Sequence, residues 1–267
     1  DPKIIFKGYS DRVEIIENKN TTIIKTNDPF IELKKLLGKS NDQKYRYLGG
    51  AVGVVNYDSI RLVENISEEE NLTQPIMEFG IYDDGLLYDN VDKKLFYFYH
   101  DVNRFDELIM SEDSFDKFHS SQVTPNMDKE KFSNIVNKAK QYIHDGDIFQ
   151  VVLSRKFEFE TSGDNLTLYK TLRKLNPSPY MYHLKQDSKT IIGASPEMLV
   201  RITDDKVETF PIAGTRKITD NEEKNKALSD ELIHDEKELA EHTMLVDLGR
   251  NDIGRVCKYG TVHPESL

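Results

Sequence analysis

A single thiol, Cys257, is present among the 267 residues. That excludes a disulfide framework and a thiolate metal site, and leaves Cys257 as a small core residue. Basic residues are also in deficit: 36 Lys and Arg stand against 47 Asp and Glu, a formal charge of −11. Such a balance excludes a general nucleic-acid surface, although a local basic pocket for a small anion remains compatible with it. No apolar run reaches membrane-spanning length and no signal peptide is visible, so a cytoplasmic protein with no membrane attachment is expected. The glycosylation-type triplets at Asn20, Asn71 and Asn165 carry no meaning in that setting.

What is present is a polar, globular composition, with 37% hydrophobic and 31% charged residues. The length suffices for one large or two ordinary domains with real cores. Residues 12–16 and 21–25 alternate as short strands. Asp28 caps a helix that has Pro29 in its first turn, Phe30, Leu33, Leu36 and Leu37 as its stripe, and Gly38 as its stop. The segment 47–58, YLGGAVGVVNYD, reads as a glycine-rich strand. No Lys-Ser/Thr follows Gly49, Gly50 and Gly53, so they mark close backbone approach and not a phosphate loop. A solvated acidic loop at Glu68–Glu70 precedes runs at 76–82, 85–89 and 95–100 that resemble a meander turning at 90–93. The expectation is an α+β fold of antiparallel sheets with covering helices. It has an N-terminal region at 1–110, a linker at 111–127 and a second domain at 128–267, where Asp128 caps an amphipathic helix ending at Gly146.

Chemistry-bearing residues concentrate in this second region. A strand is predicted over 148–159, in which Gln150 is a lone amide needing a partner or ligand. The segment 176–181, NPSPYM, is a rigid proline turn. Strands at 198–203 and 206–211 about the Asp204-Asp205 turn form a hairpin. Its register places Glu197 near Ile212–Gly214, with Arg216 close by. A carboxyl beside loop N–H groups and an Arg suits anion binding or proton transfer, and an ordinary Glu–Arg pair fits equally.

The organising stretch is 235–252. Asp235 can cap a helix and Glu238 can complete a capping box. Leu239, Met244, Leu245 and Leu248 supply the apolar stripe, with Glu238 and Glu241 on or beside it. Carboxylates on a buried face need a partner, either a hard cation such as Mg²⁺ or a core Arg.

In order, IFQVVLSR, NPSPYM, GASPE, PIAGTR and EHTMLVDLGRND resemble the chorismate-utilising enzymes, most closely the large subunit of anthranilate synthase. GGAVGVVNYD extends the resemblance weakly into the first half. The resemblance implies Glu241 and Glu238 as Mg²⁺ ligands, and Glu197 as the general acid for the departing C4 hydroxyl, in a largely buried site. It implies Ala213, Gly214 and Thr215 as the substrate loop. Asn176, Pro177, Ser178, Tyr180 and Met181 would form one side of a tryptophan feedback pocket. Gln150 stands where isochorismate and salicylate synthases carry a water-activating Lys. Ala213 stands where many aminodeoxychorismate synthases carry a nucleophilic Lys. Both favour anthranilate synthase, with aminodeoxychorismate synthase as the alternative. Ammonia would come from a glutamine amidotransferase subunit. The resemblance also implies that an N-terminal segment and the family's last third lie outside these residues, and that the chain alone is inactive. A non-catalytic portion binding a partner or effector, and a purely structural metal role for Glu238 and Glu241, are the other readings.

Overall fold

A computed structural model describes residues 2–37, 45, 47–66, 74–109, 117–186 and 188–265. The expected helix stop at Gly38 and the Glu68–Glu70 loop lie outside them. The chain divides into two units, 1–114 and 115–267. As expected, both combine antiparallel strands with helices.

The first unit is built on β1 (Ile4–Gly8), β2 (Arg12–Glu17), β3 (Asn20–Lys25), β4 (Gly50–Val55) and β5 (Met77–Tyr82), in the sheet order β3-β2-β1-β5-β4. β1 lies at the centre, pairing Phe6 with Ile15 on one side and Phe79 on the other. Helix α1 (Pro29–Leu36) covers the sheet, and Asp28 caps it by accepting the Ile31 N–H at 3.2 Å. Phe6, Val13, Leu33, Met77 and Ile81 form the buried core. A Cβ on Gly53 would lie 2.0 Å from the Glu78 carbonyl, so this strand glycine does permit close backbone approach.

The meander expected over 76–100 is not formed. β5 is hydrogen-bonded on both edges, to β1 and β4, and has no free edge for its successor. β6 (Asp84–Asp89) and β7 (Lys94–Tyr99) therefore make a separate hairpin, followed by the short helix α2 (Phe105–Ile109). Asp84 anchors the hairpin, accepting from Tyr97 Oη at 2.9 Å and from Arg104 Nε at 3.0 Å. The Arg104 hydrogen bonds hold the Asp84 carboxyl below its usual value against the opposing effect of burial.

In the second unit, β8 (His119–Ser120) and β9 (Thr124–Pro125) fall inside the predicted linker and pair with β11 (Thr161–Ser162) and β10 (Phe157–Glu158). That stretch of the linker thus carries two short strands, and residues 111–116 lie outside the described residues. Asp128 accepts the Lys131 N–H at 2.8 Å and caps α3 (Lys129–His144). The strand predicted over 148–159 is present only as β10. No described strand runs beside 150–156, and an extended segment without a partner gains no ladder hydrogen bonds. Helix α4 (Asn165–Leu175) packs on the hairpin of β12 (Tyr180–Gln186) and β13 (Lys189–Ser195). A shorter hairpin follows, β14 (Arg201–Thr203) with β15 (Lys206–Glu208). Helices α5 (Glu222–His234) and α6 (Glu236–Gly254) complete the described residues.

Candidate functional site

The PIAGTR loop, 211–216, touches two of the predicted acids from opposite ends. At its start, the Ile212 N–H donates to Glu197 Oε1 at 3.1 Å. The register of β14 with β15 brings this about: Arg201 pairs with Glu208, and Thr209 Oγ1 donates to the Leu199 carbonyl at 2.9 Å, extending the hairpin toward 197 and 212. Glu197 is further fixed by a local turn, its N–H donating to Ser195 Oγ at 3.3 Å while that hydroxyl donates to the Glu197 carbonyl at 3.0 Å.

At the other end of the loop, Gly214 faces Glu238. A Cβ there would lie 2.2 Å from Glu238 Oε2 and 3.0 Å from Leu232 Cδ1, so a side chain at this position would displace the Glu238 carboxylate. Glu238 belongs to the first turn of α6. Asp235 caps that turn, accepting the Lys237 and Glu238 N–H groups, each at 3.1 Å. The Glu238 N–H, more than any other contact, holds the Asp235 carboxyl below its usual value.

The predicted residues fall into three groups. Tyr180 pairs with Ser195 and Met181 with Ala194, so the 176–181 turn lies beside Glu197. Ser178 is half-buried there, whereas Asn176, Pro177 and Tyr180 are exposed. Ala213 and Gly214 are half-buried and Thr215 exposed, on the loop that joins Glu197 to Glu238. Gln150 is exposed in irregular chain, and no described contact connects it to this cluster.

Three expectations are corrected. Glu197 is exposed, not largely buried. The α6 stripe does not form a buried face among the described residues, since Leu239 and Leu248 are 55% and 54% exposed. Arg216 turns away from Glu197 and toward the helices. Its Nε donates to Glu231 Oε1 at 3.0 Å, its Nη2 to Asp235 Oδ2 at 3.1 Å, and its Nη1 lies 3.8 Å from Glu238 Oε1. The carboxylates nearest Arg216 simply outnumber the single one at 197, and they sit at intervals of four and three residues, 231, 235 and 238. That spacing was the available signal for this pairing.

Glu238 and Glu241 lie one turn apart on α6, both half-buried, and Glu241 has no ion-pair partner among the described residues. Two oxygen-donor carboxylates fit a Mg²⁺ ion, which keeps several waters and takes further oxygens from its substrate. No group of three or more His, Cys, Asp or Glu residues suited to a metal ion occurs among the described residues.

The model of the chorismate binding enzymes matches residues 2–267. This chain belongs to that family. It is 40% identical to anthranilate synthase component 1 of Acetivibrio thermocellus, over all of this chain and 60% of that protein. It is 37% identical to aminodeoxychorismate synthase component 1 of Bacillus subtilis, over 98% of the chain and 60% of the relative. The crystal structure of anthranilate synthase component I from Streptococcus pneumoniae superposes with a TM-score of 0.81 at 33% identity, covering 96% of this chain and 60% of that one. This chorismate binding enzyme thus spans about three fifths of the length of the relatives it matches. No helix among its described residues is long and apolar enough to cross a membrane.

Proposed function

We propose that these residues form the larger part of an anthranilate synthase component 1, which converts chorismate and ammonia to anthranilate, pyruvate and water. The observation that carries this reading is the 211–216 loop, hydrogen-bonded to Glu197 at its start and set against Glu238 at its end. A substrate lying along the loop would have a proton donor near one end and a metal-binding helix near the other.

In this reading Glu197 donates a proton to the C4 hydroxyl as that group leaves, while ammonia adds at C2; loss of pyruvate then aromatises the ring. The backbone of Ala213, Gly214 and Thr215 orients the substrate. Glu238 and Glu241 would hold Mg²⁺, which would supply charge stabilisation and orientation for a carboxylate of the substrate. Gln150 has no basic nitrogen with which to activate water, and Ala213 has no nucleophile with which to form an adduct. Both favour ammonia as the attacking group and anthranilate as the product. A glutamine amidotransferase partner would deliver the ammonia in the cytoplasm, and tryptophan would bind against Asn176, Pro177, Ser178, Tyr180 and Met181 as inhibitor.

The test is product analysis with the full-length protein, chorismate, ammonia and Mg²⁺, using fluorescence for anthranilate and chromatography for other products. Anthranilate supports the proposal. Aminodeoxychorismate would move the protein to the class of the B. subtilis relative, and isochorismate would sink the argument from Gln150.

A further inference from the structure

We propose that Arg216 is a positioning residue: it fastens the substrate loop to the metal-binding helix and sets the orientation of Glu238. The inference rests on the function proposed above and adds a residue which that reading does not use.

Arg216 links its own loop to α5, to the α5–α6 junction and to the start of α6. Its own loop supplies the Thr215 carbonyl, which accepts from Nη1 at 3.2 Å. The last turn of α5 supplies Glu231 at 3.0 Å, and the α5–α6 junction supplies Asp235 at 3.1 Å. The first turn of α6 supplies Glu238 at 3.8 Å. Its side chain is 23% exposed, against 61% for Glu231, so the guanidinium sits deeper than the acid it pairs with. A planar fork with donors in several directions can hold acceptors this far apart, where an ammonium point charge cannot.

The two closest acids already offset the guanidinium charge. The third contact therefore orients Glu238 more than it neutralises it. Glu238 is confined on both sides, with Oε1 toward Arg216 and Oε2 against Gly214. Asp235 serves two ends at once: one oxygen caps α6 and the other holds Arg216. Moving the loop would thus move the helix cap, and with it the carboxylate that is to face the metal.

The experiment compares full-length wild type with Arg216→Ala and Arg216→Lys. Mg²⁺ binding is followed by calorimetry, chorismate turnover gives KM and kcat, and amide exchange is read over 212–217 and 235–239. Arg216→Ala is expected to speed exchange in both segments and to weaken Mg²⁺ binding about tenfold, the scale set by groups that orient metal ligands. KM should rise with it, while kcat at saturation changes little. Arg216→Lys should fall between the two, because it keeps the charge and loses the fork. Faster exchange with unaltered Mg²⁺ binding would reduce Arg216 to a structural fastening and overturn the proposal. Tighter Mg²⁺ binding would overturn it too, by showing charge repulsion to outweigh orientation. A wild type that binds neither Mg²⁺ nor chorismate removes the underlying function and the proposal with it. The exchange data, which need no ligand, separate that outcome from failure of the clamp itself.

Discussion

The Ile212 N–H donates to Glu197 Oε1 at 3.1 Å, so a carboxyl before one hairpin strand is held by the loop after the other. Glu197→Gln preserves an oxygen that can accept this bond but removes the acidic proton. Turnover of chorismate by the full-length protein is expected to fall about 10²–10⁴-fold, the usual contribution of general acid catalysis. Melting should be unchanged; retained turnover would remove Glu197 from the chemistry.

Glu241→Gln keeps size and polarity while deleting the charge a cation needs. Loss of Mg²⁺-dependent turnover is expected, with melting of the metal-free protein unaltered. The opposite pattern, lower melting with normal Mg²⁺ dependence, would mark a structural role for Glu241.

Gly214→Ala places a methyl group 2.2 Å from Glu238 Oε2. The end of a Glu side chain can swing aside, so the melting temperature should shift little. The displaced carboxylate should weaken Mg²⁺ binding, which calorimetry reads directly. An unchanged affinity would separate Glu238 from the metal.

In the first unit, Phe6 is fully buried at the centre of the sheet. Phe6→Ala should cost about 3–5 kcal/mol through lost transfer energy and a residual cavity. That is a large share of the roughly 5–15 kcal/mol by which domains are stable. Urea denaturation followed by circular dichroism measures it.

Asp84 gives the same unit an acid-sensitive fastening. Its folded-state carboxyl is held below the usual 3.8, chiefly by hydrogen bonds from Arg104. A depressed carboxyl contributes stability that is fully present above the unfolded-state value and is lost as pH falls through the folded-state value. Asp84→Asn should therefore flatten the low-pH limb of a stability curve and lower the plateau at neutral pH. An unchanged acid limb would show that Asp84 does not contribute to it.

The local signals in the sequence read well. Asp28, Asp128 and Asp235 each accept N–H groups at the helix starts where caps were predicted. The Asp204-Asp205 turn fixed a register within one residue of that observed, because Asp204 adopts φ +51° in a tight two-residue loop. What failed depended on distant partners. Residues 148–156 alternate like a strand, yet a strand exists only where another lies alongside it. Arg216 had several carboxylates within reach, and composition alone does not rank them. β1 escaped notice because five residues carry too little pattern to announce a central strand.

The strand β4 closes one side of the sheet order β3-β2-β1-β5-β4, and among the described residues only β5 pairs with it. Its sequence, GAVGVV, offers neither proline nor a charged side chain to discourage a newcomer. Where that edge stays unpaired, its row of amide and carbonyl groups templates further strands, and concentrated solutions of this chain then tend toward fibrillar self-association. The surplus of negative charge works against that tendency at low salt and loses its reach as ionic strength rises. Solubility should therefore decline with added salt, a practical bound on any buffer chosen for the titrations above.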